Sequence, residues 1–199
     1  MAKLFDDILQ KGIADGKIPA KEKHAREWYR TQAKESGRIN ESKFFSSATH
    51  ENFQNRFKIG NMYLFRYNPK HKDTLPYYDR VPLVFPFAKA KGGFLGINFH
   101  YLPLNLRAKL MDALYEVTNN KKYDETTKLK ISYSILESAA KFKYFKPAIK
   151  HYLAPHIIGR LMYIKPTEWD IALWLSIAQF KGATQNEVWK DSRKIIKGN

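Results

Sequence analysis

Six histidines are the side chains best suited to bind a metal or move a proton, and their spacing suits neither task. His24, His50, His71, His100, His151 and His156 form no pair at metal-binding helical spacing; His151 and His156 are five apart with Pro155 between them. No HExxH or GxSxG is present. Only His100 lies inside an apolar element, where a histidine is usually structural. Gly92-Gly93-x-x-Gly96 precedes a strand and lacks the Lys-Ser or Lys-Thr of a P-loop, so it reads as a hairpin turn and not a phosphate cradle. Glu41-Ser42-Lys43 matches the short Glu-x-Lys end of many metal-dependent nuclease sites. It falls in a polar helical segment, whereas such a site needs carboxylates converging from neighbouring strands. Asp112 and Glu116 beside Lys109 are ordinary helix-surface pairing, and Asp79 is placed to bond its own turn. With no cysteine, disulfides, thiol nucleophiles and cysteine-bound zinc are excluded. The expectation is a protein that is not an enzyme, with no catalytic residue, metal, cofactor or small-molecule substrate.

Charge is the more informative chemistry. There are 35 Lys and Arg against 19 Asp and Glu, a net +16, and the excess is spread over all four quarters of the chain. A folded body with that field attracts polyanions, meaning nucleic acid, anionic membrane or an acidic protein surface. The densest basic and aromatic interleaving runs from Lys141 through Phe142, Lys143, Tyr144, Phe145 and Lys146 to Lys150, after Lys128 and Lys130. Lys143, Lys146 and Lys150 are spaced by three and four, so they track a phosphate backbone if a helix continues across Pro147. Phe142 and Tyr144 would then stack on unpaired bases at a strand end. The alternative stays open: the aromatic residues are core and the lysines a solvated rim.

The elements that must position these residues follow from hydrophobic period. Residues 59–67, 81–87 and 92–103 hold short runs rich in aromatic and β-branched residues, separated by turn-forming stretches, and predict antiparallel strands. Tyr63, Phe65 and Tyr67 share one side; Val81, Leu83, Phe85 and Phe87 share another. Leu95, Ile97, Phe99 and Tyr101 line an inward side opposite Gly96, Asn98 and His100. Pro82 and Pro86 make the second run an edge strand, or one bulged along that edge. Helices are predicted from Pro103 to Asn119-Asn120, from about Asp124 to Ala140, and from Pro147 through Ile149, Tyr152 and Leu153. Leu161 to Ile164 and Ile171 to Leu175 read as returning strands, and Thr184 with Glu187 caps the last helix.

The fold class is therefore α+β: a small antiparallel five-stranded barrel-like sheet (strands about 60–102, then about 159–176), a helical insertion at about 103–158, and a C-terminal helix at about 184–197. Residues 1–55 read as a helical N-terminal arm on the 56–199 body. Gly16 and Gly37 end its first two helices, Pro19 fits the start of the second, and Asn40 caps the third. Its second helix has few apolar residues beyond Trp28 and Tyr29. Either it is a solvated spacer, or Trp28 and Tyr29, with Phe44 and Phe45, dock on a partner. Asp6 and Asp7 stand where a signal peptide would be apolar. The longest apolar run, residues 171–180, is broken by Ser176 and Gln179 and falls well short of the ~20 residues of a membrane span. A soluble protein made in a cytoplasm, with no membrane partner, is expected.

Three stretches resemble a known family. They are Tyr67-Asn68-Pro69-Lys70-His71-Lys72-Asp73-Thr74-Leu75-Pro76-Tyr77-Tyr78-Asp79-Arg80-Val81-Pro82-Leu83-Val84, Gly93-Phe94-Leu95-Gly96-Ile97-Asn98-Phe99-His100-Tyr101-Leu102-Pro103, and Glu168-Trp169-Asp170-Ile171-Ala172. Over about residues 57–197 the chain is similar to virion-associated proteins of T-even-like tailed phages, and most of all to the DNA end protectors among them. The resemblance implies a virion protein, made in the host bacterial cytoplasm, that binds the terminus of packaged double-stranded DNA and shields it from exonucleases. Other virion proteins are its implied neighbours. A structural piece of the phage neck or baseplate is the alternative. The resemblance assigns no role to any residue.

Overall fold

The computed structural model describes residues 2–18, 22–118 and 121–197. In chain order the helices are α1 (Lys3–Ala14), α2 (Lys23–Glu35), α3 (Glu41–Ser46), α4 (Leu104–Thr118), α5 (Glu125–Lys141), α6 (Trp169–Trp174) and α7 (Gln185–Lys197). The strands are β1 (Phe53–Gln54), β2 (Met62–Tyr67), β3 (Tyr78–Asp79), β4 (Leu83–Ala90), β5 (Gly93–Asn98), β6 (Ile149–Leu153), β7 (Ile157–Ile164) and β8 (Phe180–Lys181).

The three central runs pair as strict alternation demands. β2, β4 and β5 lie side by side in an antiparallel six-stranded sheet of order β1-β7-β2-β4-β5-β6, and β3 pairs with β8 apart from it. Along β2, Met62 and Leu64 face a large core shared with the helices. Tyr63, Phe65 and Tyr67 face the other way, into a smaller aromatic core. That smaller core is the concave side of a strongly curled sheet: Tyr152 on β6 comes within 5.3 Å of Phe65 and 4.9 Å of Tyr67 on β2, ring centre to ring centre. The Tyr67 hydroxyl also accepts from the Leu153 amide at 3.0 Å. The sheet is nevertheless open. Its edges are β1 and β6, so the expected closed five-stranded barrel is corrected to a curled six-stranded sheet.

Two segments take the opposite structure from the one predicted. Ile149–Leu153 is a strand, because β5 offers it a ladder from Ile97↔Ile149 to Gly93↔Leu153. Gly93 makes that approach possible, since a Cβ there would sit 1.8 Å from the Tyr152 carbonyl oxygen. Residues 171–175 belong instead to the α6 helix and the turn after it. Pro166 opens the preceding 3₁₀ turn, the Glu168 carboxylate accepts from the Lys165 amide at 2.7 Å, and the Trp169 indole donates to the Ile164 carbonyl. β4 is central and not an edge strand, but the bulge is present: register shifts between Pro86 and Ala88, where the missing proline N–H breaks the ladder. Phe99–Tyr101 leaves the sheet as a 3₁₀ turn, which buries Asn98 and His100 as fully as their apolar neighbours.

Local stop and start signals hold well. Gly16 and Gly37 sit at positive φ after α1 and α2, Asn40 accepts from the Lys43 amide, and Thr184 and Glu187 form the reciprocal cap of α7. Pro19 and Asn119-Asn120 lie outside the described residues. The first 55 residues pack on the rest: Phe5, Tyr29, Phe44 and Phe45 join the main core, and β1 extends the sheet edge by pairing with β7. Arg30 on α2 donates from Nε to Asp170 on α6 at 2.6 Å and from Nη2 to Asp112 on α4 at 2.7 Å. Its guanidinium also lies over the Trp174 ring. Helices α1 and α2 meet closely enough that a Cβ on Gly12 would stand 2.3 Å from the Tyr29 hydroxyl, which is itself bonded to the Lys17 carbonyl. Gly12→Ala is expected to lower stability by about 1–3 kcal/mol, the usual cost of overpacking. Thermal melts of the two chains check it; an unchanged Tm means that Tyr29 can swing clear.

Candidate nucleic-acid interface

Five cations far apart in the chain line one cleft of about 760 Å³. Lys34 comes from the last turn of α2 and Arg38 from just beyond it. Arg80 follows β3, Arg107 stands in the first turns of α4, and Lys181 ends β8. Trp174 and Trp189, half-buried, line the same walls, and among the described residues no carboxylate does. Two backbone contacts hold the mouth in shape: the Ile39 amide donates to the Ser176 carbonyl at 3.1 Å, and the Arg80 amide to the Gln179 carbonyl at 2.8 Å. None of the five cations makes a salt bridge among the described residues.

Arg107 is the unusual member, since it is buried while the other four are exposed. Its Nε donates to the Leu102 carbonyl at 2.8 Å, its Nη1 to the Leu173 carbonyl at 2.7 Å, and its Nη2 to the His100 carbonyl at 3.4 Å. The guanidinium carbon stands 5.5 Å from the centre of the Trp189 ring. A guanidinium has five N–H donors, so two are left over among the described residues, and the charge there is in contact only with neutral carbonyls. Burial pushes its pKa down to about 9, against the upward pull of Asp79, and it stays charged at neutral pH. A buried cation without a paired anion is costly. A bound anion would relieve that cost.

Behind Arg107 lies a buried polar cluster. Asp79 Oδ2 meets His100 Nδ1 at 2.7 Å and accepts from Asn98 Nδ2 at 3.1 Å. Its Oδ1 accepts from the Val81 amide at 3.0 Å, the turn bond expected of it, and from the Gln179 amide at 3.4 Å. The His100 carbonyl also takes the Trp189 indole N–H at 3.0 Å and the Gln185 side-chain amide at 2.6 Å. One 3₁₀ turn thus fixes three residues of the cleft wall.

The residues picked from sequence are arranged differently. α5 ends at Lys141, residues 146–148 form a 3₁₀ turn, and β6 follows, so no helix carries Lys143, Lys146 and Lys150 on one face. Lys130, Lys143 and Lys146 are exposed. The side chains of Lys128 and Lys141 lie outside the described residues. Lys150 is half-buried with its ammonium 4.0 Å from the Tyr101 ring centre, and burial lowers its pKa to about 8. Phe142 and Tyr144 are exposed, at 59% and 49%, on the rim of an apolar groove of about 610 Å³ between α4 and α5. Tyr29, Phe44 and Phe45, expected to dock on a partner if their segment is not a solvated spacer, are buried inside the chain. Trp28 packs edge-on against Tyr29, with Lys11 over its ring. Glu41 accepts from Arg66 and so is held as an ion pair.

Fold and site together define an α+β protein that presents a carboxylate-free basic cleft beside a curled antiparallel sheet. The chain belongs to the family described as phage T4 terminal DNA protecting protein, whose model matches residues 2–194. No curated protein and no solved structure matches it. Among the described residues no helix is long and apolar enough to cross a membrane.

Proposed function

We propose that the chain binds the ends of linear double-stranded DNA in the basic cleft and blocks access to them without cutting or joining the strand, as a component of the phage particle. The observation that carries this reading is the wall of the cleft: five cations, two indoles and no carboxylate. Phosphates are attracted there, and the exposed parts of the two indoles, each with a guanidinium over one face, can meet unpaired bases. Metal-assisted strand cleavage needs carboxylates to hold its ions, and among the described residues no three His, Asp or Glu side chains gather to form such a set. Family membership supports the DNA terminus as the partner.

Affinity for linear duplex is expected to fall steeply with salt, with log K losing about 0.9 per neutralised phosphate for each unit of log salt. Replacing Arg80 and Lys181 by Gln should lower that slope by about two and leave Tm nearly unchanged, because both side chains are exposed. Linear duplex should bind better than a closed circle of the same sequence. Equal binding reduces the cleft to general attraction. No binding at low salt removes the DNA reading altogether. A second reading, a structural piece of the neck or baseplate, draws on the apolar groove rimmed by Phe142 and Tyr144, since exposed apolar patches of that kind serve protein contacts.

A further inference from the structure

We infer that the cleft seats the last nucleotide of a DNA strand, and that Arg107 at its floor receives a terminal phosphate monoester. The inference deepens the end-binding reading and rests on it. Size is the first argument. At about 760 Å³ the cleft falls in the ~300–1,000 Å³ range of pockets that bury a small ligand. The side of a duplex offers nothing of that size to insert unless a nucleotide is flipped out of the stack. Its end does, once the last base pair opens.

Charge is the second argument. An internal phosphate diester carries one negative charge, whereas a terminal monoester carries about −1.5 to −2 at pH 7 and presents three acceptor oxygens. Arg107 supplies a buried guanidinium with two N–H donors uncommitted and no counter-ion in contact among the described residues. Arg38, Arg80 and Lys181 surround the mouth with exposed cations free of salt bridges. Bidentate guanidinium contacts to a phosphate are among the strong, geometrically selective hydrogen bonds. The third argument is the Trp189 indole. Its position is set by the His100 carbonyl that also fixes Arg107, so an aromatic face and a phosphate donor are held in one unit. An unpaired base meeting the part of the indole that Arg107 leaves exposed would bring its own phosphate near the guanidinium.

The test uses the full chain and short hairpin duplexes with one open end, bearing a 5′-phosphate, a 3′-phosphate or hydroxyls only. A dumbbell with no end is the control. One phosphorylated end is expected to bind about ten- to a hundredfold more tightly than the hydroxyl end, and the two arms identify which terminus the cleft takes. Arg107→Lys keeps the charge and removes the fork, and should reduce that preference at least severalfold. Because Arg107 is buried, Arg38→Gln and Arg80→Gln at the mouth serve as second variants, with folding checked by their melts; each should also shrink the preference. Phosphorylated and hydroxyl ends bound equally, both above the dumbbell, would overturn the terminal-phosphate seat and leave end binding standing. Ends bound no better than the dumbbell would overturn both.

Discussion

A chain lacking residues 1–55 is expected to lose cooperative folding. The deletion removes Phe5, Tyr29, Ala33, Phe44 and Phe45 from the main core. Truncation of a single buried Phe already costs about 3–5 kcal/mol, and whole domains are stable by only about 5–15 kcal/mol. Losing Arg30 as well leaves Asp170 buried without its ion-pair partner. Burial raises the Asp170 pKa, and Arg30 is the first of the groups that oppose the rise. Loss of β1 uncovers the edge of β7. Circular dichroism and calorimetry of residues 56–199 should show a broad, non-cooperative transition and dye-accessible apolar surface. A sharp melt near that of the full chain would mean that the first three helices are an appendage after all.

The sequence misleads about these helices for a definable reason. α2 buries Ala25, Tyr29 and Ala33, a narrow stripe whose alanines add little hydrophobicity, so the helix reads as polar although one face is wholly covered. Caps and turns, by contrast, were legible because each rests on one or two residues: Gly16, Gly37, Asn40, Thr184 with Glu187, and the hairpin at Gly92. The central strands were legible because β2 and most of β4 are buried on both faces and so read as continuous runs rich in aromatic and β-branched residues. Residues 149–153 and 171–175 were not, since a five-residue segment carries too few periods to separate strand from helix. Gly93, which admits the Tyr152 and Leu153 backbone, was the signal for a further strand beside β5. The cleft was the least legible feature, because its cations lie at positions 34, 38, 80, 107 and 181 and share no spacing. One trace of it was present. Arg107 stands three and seven residues before Leu110 and Leu114, on the buried face of α4, where a charge needs a reason. Lys143, Lys146 and Lys150 drew attention through a helical spacing that the break after Lys141 abolishes.

Asp79→Ala is expected to cost about 3–5 kcal/mol, because it takes the shared acceptor from a buried cluster of hydrogen-bond donors, and to weaken end binding with it. The carboxylate is fully buried and accepts from His100, Asn98 and the Val81 and Gln179 amides. All four donors lose their acceptor together. His100 suffers most, because its Nε2 already has no partner among the described residues. The turn that His100 anchors carries the carbonyl shared by Arg107, Gln185 and Trp189, so the loss reaches the cleft wall. Asp79 also gives stability a pH dependence whose sign is determined. Burial alone would raise its pKa; the charge and hydrogen bond of His100, with bonds from Asn98 and Val81, outweigh burial and hold it below the ordinary 3.8. A carboxylate with a depressed folded-state pKa contributes fully above its unfolded value and loses that contribution as pH falls through the folded one. The contribution of Asp79 is therefore constant from neutral pH down to about 4 and fades below that. Urea unfolding of the parent chain and of Asp79→Asn at a series of pH values checks this. The gap between the two should stay level above that pH and narrow below it. A gap that stays constant through the acid range would mean that Asp79 acts through shape and not through charge, and a variant that keeps full end binding would detach the cluster from the cleft.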